Sequence, residues 1–384
     1  MSSNNKSKII CVVGARPNFM KIAPIMAAFK KTFSECEVIL VHTGQHYDAA
    51  MNDQHFSALG IPHPDINLEV GSGSHAVQTA EVIRRFEPIV DQHLPSAVLV
   101  VGDVNSTLAC ALVAAKKNIP VIHVEAGLRS GDRAMPEEIN RVLTDQISDL
   151  LLTTERDAEN NLYREGIDGK RIHFVGNVMI DTLRNNLPRA IATNDTLRKM
   201  SEKADVSVEA KKYAVLTLHR PSNVDDATIL KALLSAIKTV SEELPVVFPV
   251  HPRTREKIEK FGLMEIVNKA DIHLLPPLGY LEMLGLMKDA RLVLTDSGGI
   301  QEETTALGIP CITLRENTER PITVTEGTNT IAGQSSDKIL NIYRDVMTTG
   351  GKAGRVPEFW DGKAAERVTG VIKEWLASKH LGTA

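Results

Sequence analysis

Two carboxylates stand at the ends of two strongly apolar runs. Ala97-Val98-Leu99-Val100-Val101-Gly102 leads to Asp103, and Val121-Ile122-His123-Val124 leads to Glu125. Runs this apolar read as strands buried on both faces of a parallel sheet. A carboxylate at the carboxyl-terminal tip of such a strand is partly desolvated, which makes its neutral form easier to populate. If the two strands are neighbours, about 4.8 Å apart, both groups reach one substrate. Paired carboxylates suit proton transfer. The plainer alternative is that both cap turns or helices. A polar, glycine-bearing loop follows Glu125, and Pro136 then opens a helix with Glu137 and Glu138 in its first turn. Acidic residues there also stabilise the helix dipole, whatever else they do.

A second chemistry is written at Thr295-Asp296-Ser297-Gly298-Gly299-Ile300-Gln301-Glu302-Glu303. An apolar run precedes it, a helical pattern ending at Gly308 follows, and a further apolar run spans 309–314, which makes one βαβ unit. Gly298 and Gly299 let backbone approach a ligand without a Cβ in the way. The N–H groups of the new helix then favour an anion, and Glu303, about one turn further in, can accept hydrogen bonds from attached sugar hydroxyls. Ser297 could instead serve only as an N-cap. Earlier, Gly14-Ala15-Arg16-Pro17 ends the first apolar run, with Lys21 about one turn into the next helix, so Arg16 and Lys21 together suggest a diphosphate site. His219 follows the run 213–218 in the same way, at a strand tip.

Placing these groups takes two sheets. With 384 residues the chain exceeds the limit of about 250–300 for a single core. Short apolar runs alternate with helical patterns, the signature of α/β architecture. Strands are expected near 8–13, 37–42, 66–70, 97–101, 120–124, 149–152 and 172–175. A second series is expected near 213–218, 245–250, 271–275, 291–295 and 309–314, and Pro249 should shorten or bend its strand. The stretch 177–212 reads as a linker with an exposed helix. The domains are therefore 1–180 and 181–363, followed by an amphipathic helix over 364–380 with Val368, Val371, Ile372 and Trp375 on one face. Two open α/β domains would place a ligand in the cleft outside the carboxyl ends of their strands.

Other readings fall away. A net charge of −4 gives no reason to expect a nucleic acid or an anionic membrane as partner. No stretch approaches the ~18 apolar residues of a membrane span, and the run 9–13 leads straight into Gly14 as a first strand rather than a signal peptide. Cys11, Cys110 and Cys311 lie inside apolar runs and, with Cys36, show no metal spacing, which fits a reducing, cytoplasmic setting. Gly71-Ser72-Gly73-Ser74-His75-Ala76 matches a dinucleotide fingerprint, but it follows the third strand and lacks the acidic partner, so it reads as a flexible loop. The histidines of His42-Thr43-Gly44-Gln45-His46-Tyr47-Asp48 match no metal-ligand spacing and suit hydrogen bonding near a substrate.

Taken in order, these motifs carry a resemblance. Gly14-Ala15-Arg16-Pro17…Lys21, Thr43-Gly44-Gln45-His46, Gly102-Asp103, His123-Val124-Glu125-Ala126-Gly127-Leu128-Arg129, Pro136-Glu137-Glu138-Ile139-Asn140-Arg141, His219-Arg220 and Ser297-Gly298-Gly299-Ile300-Gln301-Glu302-Glu303…Glu319-Arg320-Pro321 occur together. The chain closely resembles the non-hydrolysing UDP-N-acetylglucosamine 2-epimerases. The resemblance implies two Rossmann-like domains of the glycosyltransferase-B type, with the last helix returning to the first domain. It implies a cytoplasmic homodimer of polysaccharide biosynthesis, acting on a UDP-sugar with neither cofactor nor metal. It also implies reversible conversion to UDP-N-acetylmannosamine, by loss of UDP to a 2-acetamidoglucal and its return. Asp103, Glu125, Glu137 and His219 match the family's catalytic positions. Arg16, Lys21, Ser297, Gly298, Gly299, Glu303 and Arg320 match ligand-binding ones. Leu278 and Met283 fall near the expected uracil pocket, where some relatives carry Gln and Phe. Asn18 and Phe19 replace the common Glu and Ala after Arg-Pro. Three readings compete with this one: epimerisation of UDP-2,3-diacetamido-2,3-dideoxy-glucuronic acid, glycosyl transfer from the same donor, and nucleotide-sugar binding without turnover.

Overall fold

Successive residues of the first strand point to opposite faces, and both faces are apolar. Ile9, Cys11 and Val13 join one core layer, while Ile10 and Val12 join another. A strand covered on both sides must lie inside a sheet with helices above and below it. The structure, a computed structural model, describes residues 7–44, 63–201 and 206–381. The chain divides into two compact units, 1–182 with 358–384, and 183–357.

The first unit carries strands β1 (Lys8–Val13), β2 (Glu37–His42), β3 (Ile66–Asn67), β4 (Ala97–Val101), β5 (Val121–Ala126), β6 (Leu150–Thr153) and β7 (Ile172–Phe174). They pair in parallel in the order β3-β2-β1-β4-β5-β6-β7. The second carries β8 (Ala214–Thr217), β9 (Val246–Pro249), β10 (Ile272–Leu275), β11 (Leu292–Thr295), β12 (Cys311–Thr313) and β13 (Asn329–Ile331). These are parallel in the order β10-β9-β8-β11-β12-β13. Both are Rossmann-like sheets. Strand order reverses between β1 and β4 in one and between β8 and β11 in the other. Beyond the carboxyl ends of strands at such a reversal, helices leave on opposite faces and a crevice opens for ligand. Asp103 follows β4, while His219 and Ser297 follow β8 and β11, so these candidates stand at the reversal points.

Helix Ala364–Leu381 belongs to the first unit. Its Ala364, Ala365, Val368, Ile372 and Leu376 share a core with Ile22, Ile25 and Phe29 of helix Arg16–Thr32, and Val371 and Trp375 pack against the same core partly buried. Thr32 and Thr369 hydroxyls meet at 3.1 Å, and Asp181 accepts the N–H groups of Ala364 and Ala365 at 3.1 and 2.7 Å. The latter satisfies two donors that the start of the helix leaves open.

Among its described residues the stretch 177–212 holds two α-helices: Val178–Asn186, whose Val178, Ile180 and Leu183 are buried, and Thr193–Met200, whose Asn194, Arg198, Lys199 and Met200 are exposed. In the first, Asp181, Thr182 and Asn186 are buried as well, so polar residues along it do not mark an exposed face. Strand β3 stops at Asn67, and β13 was not anticipated. Strand β9 ends at Pro249, as that residue's missing donor requires. Ser74 of the glycine loop caps helix His75–His93, accepting the Val77 N–H at 3.3 Å. No described helix is long and apolar enough to cross a membrane.

Candidate active site

In the first unit the pairing Val100↔His123 and Val101↔Val124 sets Asp103 and Glu125 at adjacent strand tips. Each meets a cation from another element. Arg141 Nε and Nη2 donate to Asp103 Oδ2 at 3.0 and 2.6 Å, and Asn140 Nδ2 donates to the Asp103 carbonyl at 2.9 Å. Glu125 is buried, and Lys21 Nζ lies 2.7 Å from both of its oxygens. The Lys21 ammonium, expected beside a diphosphate, is thus directed to a carboxylate. Gly102 makes room for it, since a Cβ there would sit 3.0 Å from Nζ. The N–H groups of Gly14 and Ala15 both donate to Asn18 Oδ1, at 3.1 and 3.0 Å, so this glycine turn spends its donors internally. Arg16 is the first residue of its helix. Gln45, His46, Tyr47 and Asp48 lie outside the described residues.

Glu125 has φ 73°, a left-handed conformation that is costly for a residue with a Cβ. The β5–β6 register shifts between Val124 and Ala126, so Glu125 is the extra residue of a bulge, a device that re-aims a side chain. Two residues on, Gly127 has φ 81°, and a Cβ there would lie 2.4 Å from the Ala158 carbonyl oxygen. Gly127→Ala is expected to cost about 2–5 kcal/mol through strain and overpacking together. Urea titration of the variant checks this, and an unchanged midpoint would contradict it.

Of the paired glutamates, Glu137 is half-buried and Glu138 buried. Glu138 accepts the N–H groups of Ser130 and Gly131 at 2.9–3.1 Å and Arg141 Nη1 at 2.7 Å. Burial alone would push its carboxyl up, but those donors hold it below the ordinary value. Glu138 therefore ties down the loop that follows Glu125.

In the second unit Asp296 is wholly buried and organises the β8 tip. Its carboxylate accepts the N–H groups of His219 and Arg220 at 3.0 and 2.9 Å and Asn223 Nδ2 at 3.1 Å. His219 Nδ1 lies 2.8 Å from Asp296 Oδ1, with the ring 40% exposed. Burial opposes ionisation of Asp296, yet the His219 ring and the backbone donors keep its carboxyl below the usual range. With Nδ1 on Asp296, Nε2 is the outer nitrogen, suited to an anion or a proton.

Helix Gly298–Leu307 begins at β11 with Ser297 in the N-cap position but with no cap bond from its hydroxyl, which corrects the plain capping role. The two glycines differ. A Cβ at Gly298 would lie 2.5 Å from Glu319 Oε1, whereas nothing lies within 4 Å of one at Gly299. Gly299 is the open approach, and Gly298 is needed for internal packing. Glu319 pairs with Arg315 at 2.9 Å, and Arg320 Nε with Glu302 at 2.8 Å. Glu303 is buried against Tyr280. Burial first, and then the Glu303 charge, raise that phenol well above its usual value. Leu278 is buried in the core layer of Leu286 and Met287, with Met283 packed beside it. Among the described residues no three His, Cys, Asp or Glu side chains gather as metal ligands.

A family model described as UDP-N-acetylglucosamine 2-epimerase matches residues 29–373. A UDP-N-acetylglucosamine 2-epimerase homolog of Methanococcus maripaludis is 46% identical over 334 residues, 87% of this chain and 90% of that protein. The UDP-2,3-diacetamido-2,3-dideoxy-D-glucuronate 2-epimerase of Pseudomonas aeruginosa is 41% identical over 347 residues, 88% and 91% of the two chains. The crystal structure of Methanocaldococcus jannaschii UDP-GlcNAc 2-epimerase in complex with UDP-GlcNAc and UDP superposes with TM-score 0.86 at 40% identity, covering 96% of this chain and 99% of that one.

Proposed function

We infer the activity from its family, for this chain belongs to the UDP-N-acetylglucosamine 2-epimerases. It inverts C2 of UDP-N-acetylglucosamine, giving UDP-N-acetylmannosamine. A base takes the C2 proton, and the C2–H electron pair forms a C1=C2 double bond. UDP leaves with the C1–O pair, and 2-acetamidoglucal remains. The diphosphate oxygen then returns to C1 as a proton reaches C2 on the opposite face. The steps are redox-neutral and ask for two things, proton transfer on two faces and relief of charge on the leaving diphosphate.

Asp103, Glu125 and Glu137 serve the proton transfers. Lys21 pairs with Glu125 at 2.7 Å and Arg141 with Asp103 at 2.6 Å, which orients both carboxylates. Arg16, His219, Arg320 and the N–H groups at Ser297–Gly299 take the developing negative charge. Glu303 accepts the ribose hydroxyls, with Leu278 and Met283 toward the base. The observation that carries this reading is the β4–β5 register, which sets two carboxylates on neighbouring tips with a cation at each. A diacetamido-uronate substrate is the second reading, favoured by the 41% identity to the Pseudomonas enzyme. It alters the sugar and leaves the C2 chemistry unchanged.

Incubation with UDP-N-acetylglucosamine alone in deuterated water is expected to place deuterium at C2 and yield the manno epimer. A glycosyltransferase does neither without an acceptor, and a binding protein does nothing. Absence of exchange with both candidate sugars would refute epimerisation.

A further inference from the structure

A further carboxylate in the first unit connects to both strand tips. Asp145, on helix Pro136–Ile147, is wholly buried. Its Oδ1 lies 2.6 Å from His123 Nδ1. Its Oδ2 accepts the Gly127 N–H at 3.0 Å and lies 2.7 Å from Arg129 Nη2. Arg129 is held in turn by Glu165, at 2.8 and 2.6 Å. On the far side of the ring, His123 Nε2 is 2.9 Å from the Gly102 carbonyl. A carbonyl can only accept, so Nε2 donates. Burial opposes ionisation of Asp145, but His123 and Arg129 outweigh it and keep the carboxyl below its ordinary value.

Gly102 immediately precedes Asp103, and Gly127 lies two residues beyond Glu125. We propose that Asp145 is a positioning residue for the proton-transfer pair: through His123 it fixes the tip that carries Asp103, and through the Gly127 N–H it fixes the turn that carries Glu125. This rests on the reading above, in which those two carboxylates are among the three that handle the C2 proton. The left-handed backbone at Glu125 persists only if the surroundings over-determine it. Asp145 pins that turn from its carboxyl side, as Lys21 pins the side chain. One rigid helix thereby sets the separation of two groups that must act on one carbon, where an error near 1 Å costs on the order of 10²-fold in rate.

The test is Asp145→Asn, which keeps the shape and removes the charge. Turnover is expected to fall about 10- to 10²-fold, while KM for UDP-N-acetylglucosamine and the affinity for UDP change less than about threefold, because the diphosphate donors are elsewhere. The downfield proton resonance of the His123–Asp145 bond should disappear. His123→Gln cuts the Gly102 arm alone and should lower turnover in the same direction. The double variant should be no worse than Asp145→Asn, since both act in one chain of contacts. Thr144→Val, equally buried on the same helix, should keep its turnover. Turnover of Asp145→Asn within about threefold of the parent, or a loss that Thr144→Val reproduces at equal melting temperature, overturns the proposal. If Asp145→Asn does not fold, unchanged turnover in His123→Gln overturns it. A parent chain that exchanges no C2 proton refutes the epimerase reading, whereas an exchanging parent with an indifferent Asp145→Asn refutes the positioning role alone.

Discussion

Asp103→Asn and Glu125→Gln are each expected to lower turnover by about 10²-fold or more, some 2.7 kcal/mol of barrier. Both substitutions keep volume and some hydrogen bonding, so the loss reports proton chemistry rather than a hole. The two variants should differ in kind. Inversion at one carbon needs proton transfer on two faces, so each carboxylate is expected to dominate for one epimer. Deuterium entry from the gluco substrate should then collapse in one variant, and entry from the manno substrate in the other. UDP affinity should stay within a few-fold in both. Near-normal turnover in either variant would make that residue a structural one. Glu125→Gln has a second cost, because it leaves the Lys21 ammonium buried beside an amide. Breaking a buried pair from one side costs about 3–5 kcal/mol. Its stability should therefore drop well below that of Asp103→Asn, whose side chain is 22% exposed.

The other large effect belongs to Asp296→Ala. The substitution strips an acceptor from the N–H groups of His219 and Arg220 and from Asn223. Each buried donor left without a partner costs about 1–3 kcal/mol, so a loss of about 3 kcal/mol or more is expected. Calorimetry should show the transition of unit 183–357 lowered and the other left in place. UDP affinity should fall as well, since His219 loses the partner that sets its ring. His219→Ala makes the contrast. It retains the backbone donors and should lower UDP affinity with little loss of stability. Equal melting of Asp296→Ala and the parent chain would remove Asp296 as the organiser of the β8 tip.

Much of the fold was legible because parallel strands are covered on both faces and so appear as unbroken apolar runs. That rule fails for short edge strands such as Asn329–Ile331, and for the helix at 178–186, where Asp181, Thr182 and Asn186 are buried alongside the apolar residues and break up the pattern. The acidic strand tips were legible too, since an apolar run that stops at a carboxylate marks its own end. Their supports were not. Asp145 meets His123 across 22 residues, Lys21 meets Glu125 across 104, and Asp296 meets His219 across 77. Such partners are chosen by topology, and spacing along the chain carries no trace of them. The bulge at Glu125 was hidden for a different reason. Left-handed backbone is usually announced by glycine, and here a glutamate is held in it by contacts on both sides. Tyr280 against Glu303 was hidden for the same reason as the distant supports, since the two meet across 23 positions on different helices and no spacing rule links them.

The return of helix Ala364–Leu381 to the first unit has a consequence for how the chain is made. A ribosome delivers 183–357 complete while the first unit still lacks one wall of its core. Domains generally fold as they emerge, but here the later-made unit can finish first. The earlier one waits with Ile22, Ile25 and Phe29 uncovered until Val368, Ile372 and Leu376 arrive. During that interval the nascent protein presents an apolar face to chaperones and to neighbouring chains, and premature termination between 357 and Val368 would leave a finished second unit attached to an unsealed first.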